Sequence, residues 1–243
     1  MNQTTRKKVA LAYYVTGKHV DYRRDDSVRK MWSTVIAEMF GLISKITADK
    51  SVLNHSFFLW NLNEEFMPRL IHFCRSFMTN CFADFAGMKE YNYSNMPEFS
   101  AVQILEIFFK MTFYHTSTDA IEACLDIWDD FLDQLQVMQE SKVQKHDSEQ
   151  YMSLLVSLFN ETLKMTQFVY NHDLLNDLDN EEIDEEGETE RGRFVSSNIE
   201  VIAKICQLHP IDILNALIPN FKGKHKIHPI LNFAKNVVLH FVF

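Results

Sequence analysis

Residues 99–138 read FSAVQILEIFFKMTFYHTSTDAIEACLDIWDDFLDQLQVM. Phe99 to Phe113 is apolar almost all round, and the spacing of Gln103, Glu106 and Lys110 puts them in one narrow polar stripe of a helix. A helix of that composition must be covered on most sides. After His115-Thr116-Ser117 the pattern restarts, and Asp119 with Glu122 has the spacing of an N-terminal capping box. From there Ile121, Cys124, Leu125, Trp128, Phe131, Leu132, Leu135 and Met138 share one face, while Glu122, Asp126, Asp129, Asp130 and Asp133 share the other. The stretch predicts a helical hairpin with a turn of about four residues, one helix buried and the other half-exposed.

Working outward toward the N-terminus, YNYSNMPE (91–98) and Gly87 mark a break. Before it, Phe66, Leu70, Phe73, Cys74, Phe77, Met78, Cys81, Phe82 and Phe85 form an apolar helical face that follows Asn63-Glu64-Glu65. Pro68 predicts a late start or a kink, because its ring lacks the N–H that a helix interior uses. Val28, Met31, Trp32, Val35, Ile36, Met39, Leu42, Ile43 and Ile46 predict a further amphipathic helix, capped by Asp26 or Ser27. Residues 1–25 are a basic and aromatic lead-in with room for one short helix around Val9 to Val15.

Toward the C-terminus, Asp147 and Gln150 repeat the capping spacing ahead of Tyr151, Leu154, Leu155, Leu158, Phe159, Leu163 and Phe168. Its partner helix runs from Thr189 to Leu208 on Val195, Ile199, Ile202, Ile205 and Cys206, and Pro210 ends it. A short helix over Ile211 to Ile218, a basic loop FKGKHKIHP and an apolar run Ile230 to Phe243 complete the chain.

No segment alternates apolar and polar residues over a useful length, and Gly 6 and Pro 5 are few for 243 residues. The prediction is an all-α, HEAT-repeat-like α-solenoid of antiparallel helix pairs, each pair about 40 to 50 residues long. A single helical bundle is the competing architecture, since the pairs share no sequence signature. The repeats are expected over 26–221, with 222–243 an atypical C-terminal segment. The chain finishes VVLHFVF, where a solenoid cap would be polar, so the expectation is an excerpt of a longer array or a truncated gene product.

The charge is concentrated. Asp173 to Glu190, DLLNDLDNEEIDEEGETE, holds ten carboxylates and no Lys or Arg; of 33 Asp and Glu that leaves 23, against 24 Lys and Arg. Like-charge repulsion keeps such an inter-helix loop (173–190) extended. Composition leaves two readings open: a solvated spacer, or an electrostatic surface for a basic partner made of Asp177, Asp179, Glu181, Glu182, Asp184, Glu185, Glu186 and Glu188. A calcium loop fails, because the position that needs Gly for the sharp turn is Glu182.

Chemistry of other kinds finds little support. The four cysteines, at 74, 81, 124 and 206, have neither pairing nor metal-type spacing and lie on apolar helical faces, so buried reduced thiols are expected. His225 and His228, near His209 and His240, lack the Cys or carboxylate that would complete a metal site. Asp129 and Asp130 sit beside Asp126 and Asp133 on a charged outer face rather than in an acid and base pair. Trp32 and Trp128 are read as core. There is no phosphate loop and no nucleophile elbow, so no catalytic residue and no cofactor is expected. The net charge of −9 argues against nucleic acid. No apolar run is long enough to span a bilayer, and the Arg6-Lys7-Lys8 start with its short apolar run lacks a signal-peptide cleavage site.

ILEIFFKMTFYH (104–115), CLDIWDDFLDQL (124–135), FVYNHDLLNDLDNEEIDEEGETE (168–190) and IEVIAKICQLHP (199–210) together resemble, in order and spacing, the middle repeats of an actin-exporting receptor of the importin-beta superfamily. The likeness is specific over 99–215 and collinear over 27–98, where FGLISKITADK (40–50) also resembles it. The resemblance implies a nuclear export receptor, non-catalytic, moving between nucleus and cytoplasm. It implies a HEAT superhelix that binds Ran-GTP together with actin–profilin cargo, releases both after GTP hydrolysis, and contacts nucleoporins. The acidic loop would then face basic surface on Ran or cargo. The family's Ran-gripping N-terminal repeats and its C-terminal half have no counterpart in the sequence, so these 243 residues alone are not expected to support export. An import receptor of the same fold and a helical scaffold with no transport role are the alternatives.

Overall fold

The computed structural model describes residues 26–47, 66–86, 99–113, 117–140, 148–178 and 189–221. Among them the regular structure is helical and no strand occurs: α1 (Asp26–Thr47), α2 (Phe66–Phe77), a π-helical turn (Met78–Phe82), α3 (Ala83–Phe85), α4 (Ala101–Phe113), α5 (Thr118–Glu140), a 3₁₀ turn (Ser148–Tyr151), α6 (Met152–Met165), α7 (His172–Asp177), α8 (Glu190–Leu208) and α9 (Pro210–Phe221). The all-α class and the HEAT-type pairing of helices agree with the sequence reading. The chain divides into two compact units, Met1–Phe131 and Leu132–Phe243.

In the first unit α1 buries Trp32, Val35, Ile36, Met39 and Ile43 of the expected face and Phe40 besides, while Met31 of that face is exposed. Phe77 of α2 sits at the centre of an aromatic cluster: its ring lies 5.0 Å from Phe40, 6.3 Å from Trp32, 6.2 Å from Phe82 and 6.1 Å from Phe85. The Trp32 contact is stacked and the others edge-on or tilted, and ring contacts of this kind add to the area term that large apolar rings already contribute. The described part of α2 opens at Phe66, so Pro68 falls in its first turn, where the missing N–H would be unpaired in any case. In the π-helical turn the Asn80 side-chain amide donates to the Ser76 carbonyl at 3.0 Å, supplying a donor where the helical ladder widens.

The α4–α5 hairpin forms as predicted, with Phe108 and Trp128 ring centroids 5.0 Å apart. Its start signals differ from expectation. Ser100 and Gln103 make a reciprocal capping box that opens α4: Gln103 N–H donates to Ser100 Oγ at 3.2 Å and Ser100 N–H to Gln103 Oε1 at 2.8 Å. At α5 the Ser117 carbonyl accepts the first intrahelical bond from Ile121 at 3.1 Å, so Asp119 lies inside the first turn and is not the cap.

In the second unit α6 packs along α8, with α9 against both. Leu154, Leu155, Leu158, Phe159 and Thr162 of α6 are buried, as are Phe194, Asn198, Val201, Ile202 and Ile205 of α8. The buried face of α8 is rotated from the one expected: Val195, Ile199 and Cys206 are only half-buried, and Phe194 and Asn198 take the interior. The helix expected to continue through Phe168 ends at Met165, so Phe168 lies outside it. Pro210 both ends α8 and begins α9, since its fixed φ suits a first helical position. The lead-in 1–25, the 87–98 break, the KVQKHD loop and 222–243 lie outside the described residues.

Candidate protein-docking surfaces

The acidic stretch is attached at both ends. Its first residues are helical rather than loop: Asp173 and Asp177 are exposed on α7, while Leu175 and Leu178 are buried and fix that helix to its unit. At the other end Thr189 caps α8, its Oγ1 accepting from Gly192 N–H at 3.0 Å, and Glu190 begins the helix. A carboxylate in that first turn is favoured by the partial positive charge of the free N–H groups. Of the residues assigned to the docking surface, Asp177 is described and exposed; Asp179, Glu181, Glu182, Asp184, Glu185, Glu186 and Glu188 lie outside the described residues.

The outer face of α5 carries its charge toward solvent as its sequence predicts, Asp126 and Asp133 being exposed, and its carboxylates also reach neighbouring elements. Asp126 pairs with Arg75 of α2 at 2.5 Å, and the same guanidinium reaches the Ala123 carbonyl at 3.4 Å. Asp130 accepts from Thr79 Oγ1 at 3.2 Å. In the second unit Asp133 pairs with Lys204 of α8 at 2.5 Å. These carboxylates reach side chains of neighbouring elements across the solvent-facing side of the helix.

Among the described residues no group of three His, Cys, Asp or Glu could hold a metal ion, and no helix is long and apolar enough to cross a membrane. Cys74, Cys81 and Cys124 are buried and Cys206 half-buried, and none of the four is in a disulfide. Burial pushes the Cys124 thiol up to about 12 and Cys206 up to about 11, and raises Cys74 well above its ordinary value. Thiols held protonated in this way are poor nucleophiles. Trp32 and Trp128 are core side chains, the indole N–H of Trp128 donating to Thr112 Oγ1 at 3.0 Å. His225, His228 and His240 lie outside the described residues.

The chain is 30% identical to exportin-6 of Mus musculus and of Homo sapiens over 193 residues, 79% of its own length and 16% of theirs. Exportin-6 of Dictyostelium discoideum is 30% identical over 161 residues, 65% of this chain and 14% of that protein. The chain is exportin-6-like. It spans about one sixth of the length of the mouse and human relatives. No family model and no solved structure matches it.

One surface of the exportin-6-like chain escaped the sequence reading. The turn between α6 and α7 carries Phe168, Val169 and Tyr170 at 47%, 87% and 69% exposure. The periodicity of α6 draws Phe168 into its apolar face, whereas Asn171 offers the contrary signal. Its side-chain amide donates to the Met165 carbonyl at 3.1 Å, closing the helix three residues before Phe168. Three large apolar residues in succession also cannot all lie on one helical stripe.

Proposed function

We propose that this chain is a segment of an exportin-6-type nuclear export receptor that carries actin bound to profilin out of the nucleus with Ran-GTP. It works by surface complementarity and catalyses nothing. The similarity to exportin-6 over 79% of the chain carries this reading. The paired helices support it, because repeats that touch mainly their neighbours let small rotations accumulate into a change of curvature between partner-bound and free states. Shuttling between nucleus and cytoplasm and contact with nucleoporins belong to the same proposal.

Within it, the run from Asp177 to Glu188 is the docking element for basic surface on Ran or cargo. Its role is supported by its charge and by its fixed ends, buried Leu178 on one side and the Thr189 cap on the other. Attraction of that kind steers association and is screened by salt more than it holds a complex together. Two measurements test the proposal. Cargo capture by the full-length receptor should be stronger with GTP-loaded Ran than without it; weaker capture with Ran would make it an import receptor, and no binding of Ran or nucleoporins would make it a scaffold. Neutralising Glu181, Glu182, Asp184, Glu185 and Glu186 in that receptor should slow assembly at low salt and flatten its salt dependence. Unchanged assembly would return the loop to the role of a spacer.

A further inference from the structure

We propose that the turn Phe168-Val169-Tyr170 is a docking knob for a protein partner whose surface combines an apolar cleft with lysine or arginine side chains. The assignment does not depend on the transport reading. The three side chains are the largest run of exposed apolar residues in the second unit's described part, at 47%, 87% and 69% exposure. Val137, Ile211 and Leu214 of the same unit are exposed too, but not in an unbroken run, and contiguous apolar surface marks a place where another surface belongs.

The backbone beneath them is ordered by hydrogen bonds. Tyr170 N–H and Asn171 N–H both donate to the Gln167 carbonyl, at 2.9 and 3.0 Å, and the Asn171 amide holds the Met165 carbonyl at 3.1 Å. The Phe168 ring rests edge-on against His172 at 4.5 Å, and buried Leu175 and Leu178 anchor the helix that follows. A knob held in this way loses little conformational entropy on docking, and aromatic residues so placed are the usual hot spots of interfaces.

Charge selects the partner. Asp173 and Asp177 are exposed on α7 beside the knob, and the sequence from Asp173 to Glu190 contains no Lys or Arg. The cation on the preceding helix, Lys164, is already paired with Glu161 at 2.6 Å. An acidic partner would therefore meet repulsion, while a basic one gains complementarity at the rim of an apolar contact.

The test uses the full chain and three labelled helical peptides in fluorescence anisotropy. One carries leucines at helical spacing in a lysine background, one replaces its leucines by glutamine, and one replaces its lysines by glutamate. The leucine and lysine peptide should bind best. Phe168→Ser, Val169→Ser and Tyr170→Ser together should weaken it roughly tenfold with circular dichroism and melting unchanged. Asp173→Asn with Asp177→Asn should weaken it at low salt only. The proposal is overturned if the triple variant binds like the parent or if the glutamate peptide binds equally well. It is also overturned if the peptide binds only after residues 222–243 are removed, which would make that basic and apolar segment the occupant. Self-association of the parent, abolished in the triple variant, would overturn it in favour of a second copy.

Discussion

The indole N–H of Trp128 donates to Thr112 Oγ1 at 3.0 Å, and that hydroxyl donates in turn to the Phe108 carbonyl at 3.0 Å, all three residues being fully buried. The hydroxyl therefore satisfies the one polar group of the largest side chain in the α4–α5 hairpin. Thr112→Val keeps the shape and removes the acceptor, leaving a buried donor without a partner at a cost of about 1–3 kcal/mol. Trp128→Phe removes the donor but opens a cavity. Urea unfolding of the two single variants and the double variant should show that the second change costs less once the first is made. Strict additivity would mean that the bond contributes nothing.

The ion pairs that join helices should matter much less. Arg75 and Asp126 are 44% and 63% exposed, and Lys204 and Asp133 are 28% and 55% exposed. At such exposure a pair contributes about 0–1 kcal/mol, most of it removed by salt. Asp126→Asn and Asp133→Asn should each lower the urea midpoint slightly in dilute buffer and negligibly in 1 M salt. A loss of several kcal/mol that persists in salt would show that these carboxylates hold the helices in place.

The helices were legible because their apolar spacing is nearly unbroken. Every residue assigned to the apolar face of α5, from Ile121 to Met138, is buried. What the sequence concealed was the other face and the ends. Nothing local tells that Asp126 meets Arg75 from 51 positions away, because the spacing of a helix reveals its own faces and not its neighbours. The end of α6 was hidden since Phe168 continues the apolar period, while the bond from Asn171 to the Met165 carbonyl that stops the helix is a turn interaction without periodicity. The rotated face of α8 has a similar origin: Asn198 reads as polar and outward but is placed inside. The acidic stretch was legible as charge alone; α7 within it was not, since Leu174, Leu175 and Leu178 among carboxylates are too few to show a period.

Thiol accessibility gives a third check. Cys206 is the one half-buried cysteine among four, and its thiol, pushed up to about 11 by burial, is nearly all protonated at neutral pH. Ellman's reagent should modify Cys206 first and slowly in the native chain, and all four rapidly in denaturant. Rapid reaction of Cys74 or Cys124 under native conditions would show that the first unit opens.

His209 joins α8 to α9, its Nε2 lying 3.4 Å from Gln139 Nε2 and its Nδ1 3.8 Å from Asp212 Oδ2. Burial lowers its pKa below 6.5, and Asp212 opposes that only in part. The folded chain therefore binds a proton less readily than the unfolded chain. Stability from this residue is complete above 6.5 and is lost as pH falls from there through the lowered folded value. His209→Gln should flatten the stability profile across that acidic window, measured as urea midpoint against pH. A variant as pH-sensitive as the parent would assign the dependence to other groups.

Asn198 supplies the last prediction. It is fully buried on α8; its amide nitrogen donates to the Phe194 carbonyl at 2.8 Å, while Oδ1 is buried without a hydrogen-bond partner among the described residues. The nitrogen's acceptor belongs to its own helix, so the bond ties no second element down. The unpaired oxygen carries a desolvation cost of about 1–3 kcal/mol. Leucine branches at Cγ as asparagine does but is larger, so the gain from removing the oxygen is offset in part by crowding, while the buried Val201, Ile202 and Ile205 of the same helix are apolar. Asn198→Leu should therefore raise the urea midpoint by an amount corresponding to about 1 kcal/mol without changing its slope. Destabilisation instead would show that a buried water or a side chain across the α6–α8 contact completes the oxygen's hydrogen bonding, and that the asparagine orders the pair of helices.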